Sequence, residues 1–495
     1  MTSDRPRLAL VPEDAVIAVD RLTFLVPARR FQVEGTLLRS GYVSLATEFA
    51  LRLLRDAEVL SPGELGAFLG FSDGETRTLV QELLLDGYLD VDGDRIRLAQ
   101  KGERAFDPAS GELKLLEIEP FSDTVTLDLL SFAPVEVPGT VRLPWLVELE
   151  LPDKDRAAAA SREGTRGFRA NFGEWRDGKY RGERASGMRL HTLSGDVVPL
   201  ARSSVPITIP MTYAPSQSDG IDADFSALRD RGRRDARKEL VEALSDAIKR
   251  IVAPGDHAEG AATTARWDGG VLVGSAGSPT VSPLLWLQIA SRTPPAALPD
   301  MLAPSVRLAG SAISPGVLSV LSHFLDGVAG PGSEDVPVLW VPAAHPAWGA
   351  SGDLLDVTRR IKSGLSPKAG IVLLPRSDND DRSKRNLVRA YGGGRDGKQT
   401  PLFDACVVIP PHSLPLSLEV ILQPGFWAVV LLHVPSKDGF PVPMGYATRN
   451  VGIVDAVASL LGEVVTKLHE PSVAWSARDT RADAVLDGLE RHLTG

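Results

Sequence analysis

Residues 61–99 read SPGELGAFLGFSDGETRTLVQELLLDGYLDVDGDRIRLA and contain the clearest structural signals of the chain. Ser61 and Ser72 each stand three residues before a glutamate, which is the spacing of a helix-capping box. Gly70 and Gly87 follow the two segments, and glycine at such positions commonly ends a helix. The stretch therefore predicts two consecutive short helices.

The flanking sequence extends this pattern on both sides. Thr47 is expected to cap an additional helix before the first capping box. The dipeptide Asp92–Gly93 separates the strand-like runs YLDV and IRLA, as in a β-hairpin turn. Three helices followed by a hairpin resemble a winged helix-turn-helix domain, which we expect at residues 46–107. The resemblance implies DNA binding or protein docking through the third helix.

The charge of this segment is unfavourable for DNA binding. Residues 46–106 carry seven basic and twelve acidic side chains, a formal balance of −5. In DNA-bound domains of this shape the third helix enters the major groove, and Lys and Arg contact phosphates. Arg77 is the only cation expected on that helix. Packing or protein docking is therefore at least as well supported as DNA reading.

The whole chain has the composition of a globular protein with more than one domain. It has 495 residues, 43% of them hydrophobic, and a formal net charge of −10. The single cysteine, Cys406, excludes an internal disulfide, so we expect a reducing cytoplasm. No apolar run has the length of a membrane span, and the first residues lack the apolar core of a signal peptide. The residue usage suggests a bacterium with a GC-rich genome.

Changes in composition and hydrophobic pattern along the chain predict a multidomain fold class that combines α+β and α/β parts. An N-terminal β-rich segment, broken at Pro27, precedes the winged helix. A β-rich middle domain follows, and one of its predicted strands is VRLPWLVELELP. An amphipathic basic helix then leads to an α/β domain with a central sheet, in which GGVLVGS is a predicted strand. A polar linker is expected up to Thr264. The predicted segments are 1–45, 46–107, 108–225, 226–254 and 265–495.

The segment from Ser417 to Val465 is similar to the closing half of phospholipase-D-like proteins, in which strands, a turn and a final helix follow one another. The signature of that family is His, any residue, Lys, four residues, Asp. It is absent, because none of the eight histidines has a lysine two positions later. The resemblance therefore implies a degenerate domain that lacks the groups for attack on phosphorus and leaving-group protonation. We expect no cofactor and no metal ion.

A few further residues are secondary candidates for a catalytic site. His345 lies in a predicted strand-to-helix loop, where open sheets often place ligands. A dispersed phosphodiesterase or nuclease site would combine it with His412 and Lys437. Asp353 and Asp356 lie near His345 and are compatible with a metal site, but Asp353 fits a helix start better.

Three segments concentrate positive charge within this acidic chain. Asp153–Arg189 has ten basic against six acidic residues, Arg229–Arg250 has eight against five, and Arg376–Lys398 has seven against four. Such clusters either attract phosphate backbones or form solvated faces paired with neighbouring acids. The aromatic residues interleaved in the first segment are expected to belong to the core. The predicted nucleic-acid contacts are Arg77, Arg169, Arg231, Arg233, Arg234, Arg237, Lys238, Arg382, Lys384, Arg385 and Arg389.

These features favour a non-enzymatic component of a bacterial multi-protein system that acts on DNA, in antiviral defence or genome maintenance. Expected partners are other proteins of that system and DNA, single- or double-stranded, with no membrane and with oligomer formation left open. Two alternatives stay open: a phospholipase-D-like phosphodiesterase or nuclease with an atypical site, and a winged-helix transcriptional regulator with a C-terminal sensor domain.

Overall fold

A computed structural model gives the fold, and it is a mixed α and β protein with several sheets, as the sequence predicts. Contacts divide the chain into a small unit, Ala28–Val135 with Asp153–Ser203, and a large unit, Met1–Pro27 with Glu136–Pro152 and Ser204–Gly495. The five segments predicted from composition remain predictions. The structure describes residues 16–40, 44–108, 111–113, 116–136, 143–180, 187–216, 219–229, 237–274, 278–291, 298–325, 335–365, 369–393, 400–476 and 481–494.

Helices and strands are numbered in chain order. Up to residue 213 they are β1 (Ile17–Ser40), α1 (Leu45–Ala57), β2 (Val59–Leu60), α2 (Pro62–Leu69), α3 (Asp73–Leu85), β3 (Leu89–Asp92), β4 (Arg95–Leu98), α4 (Gln100–Arg104), β5 (Leu116–Asp128), α5 (Lys154–Ala158), α6 (Ala160–Ala170), α7 (Phe172–Lys179), β6 (Arg189–Leu193) and β7 (Val198–Tyr213). The later elements are β8 (Asp222–Ala223), α8 (Ser226–Arg229), α9 (Lys238–Lys249), α10 (His257–Asp268), α11 (Pro283–Ala290), β9 (Ser305–Ala309), α12 (Pro315–Leu325), β10 (Val338–Val341), α13 (Leu354–Ser363), β11 (Ile371–Leu373), α14 (Asp381–Tyr391), β12 (Ala405–Val407), β13 (Leu418–Gln423), β14 (Trp427–Pro435), β15 (Pro441–Thr448), α15 (Val451–Val465), β16 (Val473–Ser476) and α16 (Ala482–Thr494). Short 3-10 turns lie at Asp300–Leu302 and Glu470–Ser472.

Helices α2 and α3 begin at the two predicted capping boxes. The Ser61 hydroxyl accepts the Glu64 N–H at 3.2 Å, and the Glu64 carboxylate accepts the Ser61 N–H at 2.8 Å. Ser72 and Glu75 make the same pair of bonds at 3.4 and 2.9 Å. Gly70 follows α2 with φ 71°, a left-handed conformation that glycine adopts without strain. The two predicted helix starts are confirmed.

The first helix begins earlier than predicted. Ser44, not Thr47, caps α1, because the Ser44 hydroxyl accepts the Thr47 N–H at 3.0 Å. The predicted hairpin is present: β3 and β4 pair antiparallel on either side of the turn, and β2 adds a third strand in the order β2–β4–β3. One apolar core joins these helices and strands, with Leu51, Leu54 and Leu65 fully buried.

The rest of the small unit packs helices on an antiparallel sheet. From Ala28 onward, β1 pairs with β5, and it also pairs with β6. Phe168, Phe172 and Trp175 are 0%, 7% and 8% exposed, so the prediction that these aromatic residues belong to the core is confirmed. The predicted break at Pro27 is wrong, since β1 continues through it. The ladder with β5 starts one residue later, so it needs no N–H from the proline.

The predicted linker before Thr264 is also wrong, because residues 257–268 form helix α10. Thr264 is fully buried. A Cβ at Gly260 would overlap the Leu432 side chain of β14, so the small residues permit close packing of helix on sheet. The small and polar residues of this segment therefore reflect tight packing of α10 on the sheet, and not a flexible linker.

Two predicted strands are absent among the described residues. In VRLPWLVELELP, residues 143–152 form no strand and make only an isolated bridge from Glu148 to Leu25. GGVLVGS follows α10 through Gly269 and Gly270, whose φ values of 69° and 81° turn the backbone away from a strand. Within the predicted basic helix at 226–254, the structure describes α8 and α9, and α9 begins after Arg237 and ends at Lys249. Residues 230–236 lie outside the described part.

An eight-stranded sheet forms the centre of the large unit, in the order β16–β12–β11–β10–β13–β14–β15–β9. β10, β11 and β12 are parallel, and the other neighbours pair antiparallel. Residues of α10, α11, α15 and α16 pack on one face of this sheet, and residues of α12, α13 and α14 pack on the other. Among the described residues, no helix is long and apolar enough to cross a membrane.

Candidate functional site

A group of buried and half-buried polar side chains lies at one edge of the central sheet of the large unit. Because β13 runs antiparallel to β10, and β14 antiparallel to β13, the last residues of β10 and β14 and the first residues of β13 meet at this edge. The loop after β10 carries His345, the end of β14 carries His433, and the start of β13 carries Glu419. Ligands of open α/β sheets commonly bind at such an edge.

These three side chains form a hydrogen-bonded series, which we call the His–His–Glu chain. His345 Nε2 and His433 Nδ1 are 2.8 Å apart, and His433 Nε2 lies 2.8 Å from Glu419 Oε2. The other carboxylate oxygen, Oε1, accepts the indole N–H groups of Trp340 at 2.8 Å and Trp348 at 2.7 Å. His433 and Glu419 are 2% and 1% exposed, so the chain leads from the interior to the half-buried His345.

The hydrogen bonds indicate where the protons lie. The two indole N–H groups must donate to Glu419 Oε1, and with the carboxylate ionised Oε2 accepts from His433 Nε2. His433 then donates through Nε2 and accepts through Nδ1, so His345 donates through Nε2 and keeps a lone pair on Nδ1. That Nδ1 atom is buried and has no hydrogen-bond partner among the described residues. Burial, with His433 and Arg376 nearby, holds the pKa of His345 well below its usual value.

Arg376 connects the loops around this edge. Its guanidinium donates to the carbonyl oxygens of Pro342 and Pro415, and to that of Leu418 at 2.8 Å. Burial lowers the pKa of Arg376 to about 10, although the nearby Asp256 and Glu419 partly oppose this shift. Arg376 is therefore protonated at neutral pH. The arginine holds together the ends of β10 and β13.

A second buried acid belongs to the same unit. Asp20 on β1 is 7% exposed and accepts the Arg21 N–H at 2.7 Å. Burial raises the pKa of Asp20 to about 7, and Glu419 and Asp353 act in the same direction. Asp20 therefore keeps its proton to a higher pH than an exposed carboxyl group does.

The other predicted candidates for chemistry lie outside the His–His–Glu chain. His412 is exposed, and Lys437 is exposed and forms an ion pair with Asp219. Asp353 stands at the N-cap position of α13, as a helix-start residue should, and pairs with Arg21 at 3.0 Å. Among the described residues no group of three or more His, Cys, Asp or Glu side chains is arranged to hold a metal ion.

Helix α14 presents the predicted basic residues of the third cluster. Arg382, Arg385 and Arg389 are exposed, and none forms a salt bridge with a residue that the structure describes. Lys384 is half-buried, and its ammonium donates to the Pro471 carbonyl. Beside this helix lies a concave pocket of about 700 Å³, which we call the basic groove. Its lining residues are Asp381, Lys384, Arg385, Asn386, Val388, Arg389 and Ala474.

The start of α14 is held in place by Asp380. Its carboxylate accepts the N–H groups of Arg382 at 2.8 Å and Ser383 at 2.9 Å. These bonds, with the Ser383 hydroxyl, hold the pKa of Asp380 below its usual value. The cap fixes the helix that carries the three arginines.

The remaining predicted basic contacts are dispersed. Arg77 on α3 and Arg169 on α6 are exposed. Lys238 is exposed and lies 3.9 Å from Glu242 in an ion pair. Arg237 is only 6% exposed, so its guanidinium offers little surface to a phosphate. Arg231, Arg233 and Arg234 lie outside the described residues.

His345 was predicted from the sequence as a candidate for chemistry, whereas His433, Glu419 and Arg376 were not. A usable signal was present: Glu419 and His433 are the titratable residues of the apolar runs LEVILQ and WAVVLLHV. Ionisable groups in strands buried on both faces are expected to have partners.

Comparison of the chain with known protein families, with curated proteins and with solved structures finds no match.

Proposed function

We propose that this protein is a bacterial cytoplasmic, non-enzymatic component of a multi-protein system acting on DNA, in defence or genome maintenance, and that it contacts the nucleic-acid backbone through the basic groove. The observation that carries the proposal is the face of α14. Arg382, Arg385 and Arg389 are exposed without salt bridges in the described part of the chain, whereas many other cations of this acidic protein are paired. Unpaired arginines beside a concavity favour phosphate contact.

The winged helix-turn-helix assignment for residues 46–107 is part of this proposal. Three helices, a hairpin and the strand order β2–β4–β3 support it. The exposed side of α3 carries Asp73, Glu75 and Glu82 against Arg77. Phosphates are repelled by such a surface, so we assign the domain to docking on other proteins of the system.

A binding measurement tests the groove assignment. The triple variant R382A/R385A/R389A should lose binding to mixed-sequence DNA at low salt. Arg385 and Arg389 line the groove, and Arg382 lies one turn before Arg385 on the same helix. The control R250A/R266A/K467A removes the same formal charge at exposed positions that neither line the groove nor lie on α14, and it should bind like the wild type. Equal binding by the wild type and the groove variant, or none by either, would refute the proposal.

A second candidate is the phosphodiesterase alternative, with the C-terminal part as a phospholipase-D-like domain. The lone pair on His345 Nδ1 favours it, because that atom can accept a proton while the opposite ring nitrogen, Nε2, donates to His433, which Glu419 orients. The absent family signature argues against it.

Hydrolysis of a chromogenic phosphodiester separates the two candidates. If the protein is a phosphodiesterase, turnover should be lost in His345→Ala. It should be retained in His412→Ala, because the His412 side chain is exposed and is not part of the His–His–Glu chain. Absence of turnover in the folded wild-type protein, or equal turnover in both variants, excludes this role for His345.

A further inference from the structure

We propose that the basic groove takes double-stranded rather than single-stranded nucleic acid. The inference rests on the proposed function and specifies the ligand of the same surface. Proteins that bind single strands combine a positive channel with aromatic side chains on which bases stack, whereas duplexes are held mainly through charge contacts with phosphates. The lining of the groove distinguishes these two modes.

Among the residues that the structure describes, the groove provides cations but no stacking surface. None of its seven lining residues is aromatic. The segments that follow α14 and β16 in the sequence and lie outside the described residues, 394–399 (GRDGKQ) and 477–480 (ARDT), contain no aromatic residue. Bases of a single strand would therefore lack the stacking that contributes about 1–3 kcal/mol per base in single-strand binders.

The aromatic side chains closest in sequence are engaged elsewhere. The Tyr391 ring at the end of α14 packs edge-on against Trp348 at 6.1 Å and Phe403 at 5.9 Å between centroids. Burial raises the pKa of Tyr391 to about 12. The Trp475 indole donates to the Phe403 carbonyl at 3.4 Å. Phe403 is buried, and Tyr391 and Trp475 are half-buried and packed against the core, so their rings already have partners within the protein.

The spacing of the arginines suits a rigid backbone. Arg382, Arg385 and Arg389 are three and four residues apart, so they lie along one face of α14. They span about 10 Å along the axis at 1.5 Å per residue. A duplex has one phosphate charge per about 1.7 Å of its axis, already held in fixed geometry. A flexible single strand would have to be ordered to meet the same three groups, which costs conformational entropy.

Anisotropy measurements with the full-length protein test this choice. The probes are a labelled mixed-sequence duplex of about two helical turns and its single strand of equal length, titrated between about 50 and 200 mM salt. The duplex should bind at least about tenfold more tightly, and the log–log salt slope should fall by about 0.9 for each of the three arginines replaced by alanine. Arg266→Ala, an exposed arginine on α10 of the opposite face, should leave the slope unchanged.

The outcomes separate the two proposals. Single-strand binding as tight as or tighter than duplex binding, lost in R382A/R385A/R389A, overturns the duplex assignment and leaves the proposed function intact. Absence of binding to both probes overturns both.

Discussion

Glu419 accepts hydrogen bonds from two indoles and one imidazole while almost completely buried. Removing its carboxylate would leave three buried donors without an acceptor. Glu419→Ala should therefore lower the free energy of unfolding by about 3–5 kcal/mol. Glu419→Gln should cost less, about 1–3 kcal/mol, because its carbonyl can still accept both indole N–H groups. Urea unfolding measures both changes.

The exposed Glu463 on α15 provides the control, since its replacement by alanine should change stability by less than about 0.5 kcal/mol. The amide of Glu419→Gln should also reverse the donors along the His–His–Glu chain, so that the proton of His345 moves from Nε2 to Nδ1. Nitrogen NMR of the imidazoles detects the tautomer. Unchanged stability in Glu419→Ala would show that the three donors do not depend on this carboxylate.

Asp20 gives a pH-dependent prediction. Its pKa in the folded protein, about 7, lies above the ordinary 3.8, so the folded state binds more protons between these values. The stabilisation contributed by protonated Asp20 is therefore complete below about pH 4 and is lost as the pH rises to about 7, at about 1.4 kcal/mol per pH unit. Asp20→Asn removes this titration and keeps an acceptor for the Arg21 N–H.

Denaturation of the wild type and Asp20→Asn from pH 4 to 8 checks the sign. The difference in unfolding free energy should grow in favour of the variant up to about pH 7 and then level off. A pH-independent difference would mean that Asp20 is ionised throughout this range in the folded protein.

At the residue level, the sequence predicted an individual site residue, but not which side chains come together around it. His345 was identified from its loop, but its partners His433 and Glu419 lie 88 and 74 positions away along the chain. Their proximity follows from the antiparallel pairing of β13 with β10 and β14, which local patterns do not contain. Arg376 was counted with the surface cations because charge alone does not reveal burial.

At the scale of the secondary-structure elements, replacing two glycines by alanine should change the free energy of unfolding in opposite directions. A Cβ at Gly445 on β15 would overlap the Val430 carbonyl oxygen and lie 3.0 Å from Leu431 Cα. Gly445→Ala should therefore destabilise the protein by about 2–3 kcal/mol. Nothing lies within 4 Å of a Cβ at Gly488, inside helix α16, so Gly488→Ala should stabilise by about 0.5–1 kcal/mol.

Thermal and urea unfolding of the two variants, side by side, checks this prediction. The pair controls for the substitution itself, because the same methyl group is added to a strand and to a helix. Equal effects of the two changes would contradict the close approach of β14 and β15.

Elements with strong local signals were predictable, and elements defined by packing were not. The capping boxes at Ser61 and Ser72 involve side chains and N–H groups within three residues, so the sequence specifies them. Helix α10 depends on Gly260 fitting against Leu432, and its small residues look like a linker when this contact is unknown. Pro27 interrupts a strand pattern only where its missing N–H would be needed.

On the scale of the whole molecule, the sign of the charge varies between surfaces. The exposed side of α3 carries acids, and α14 carries arginines that form no salt bridge with another described residue, although the chain has a formal charge of −10. This distribution is the physical basis for assigning phosphate contact to α14 and protein docking to the segment that resembles a winged helix. Bulk charge would have predicted neither.

Photo-crosslinking from the basic groove tests the assignment of phosphate contact to α14 most directly. A benzophenone amino acid at Asn386, which lines the groove between the arginines, should crosslink to bound duplex DNA. The same group at Arg266 on α10, on the opposite face of the sheet, should not. Crosslinks from position 266 but not from position 386 would contradict the account.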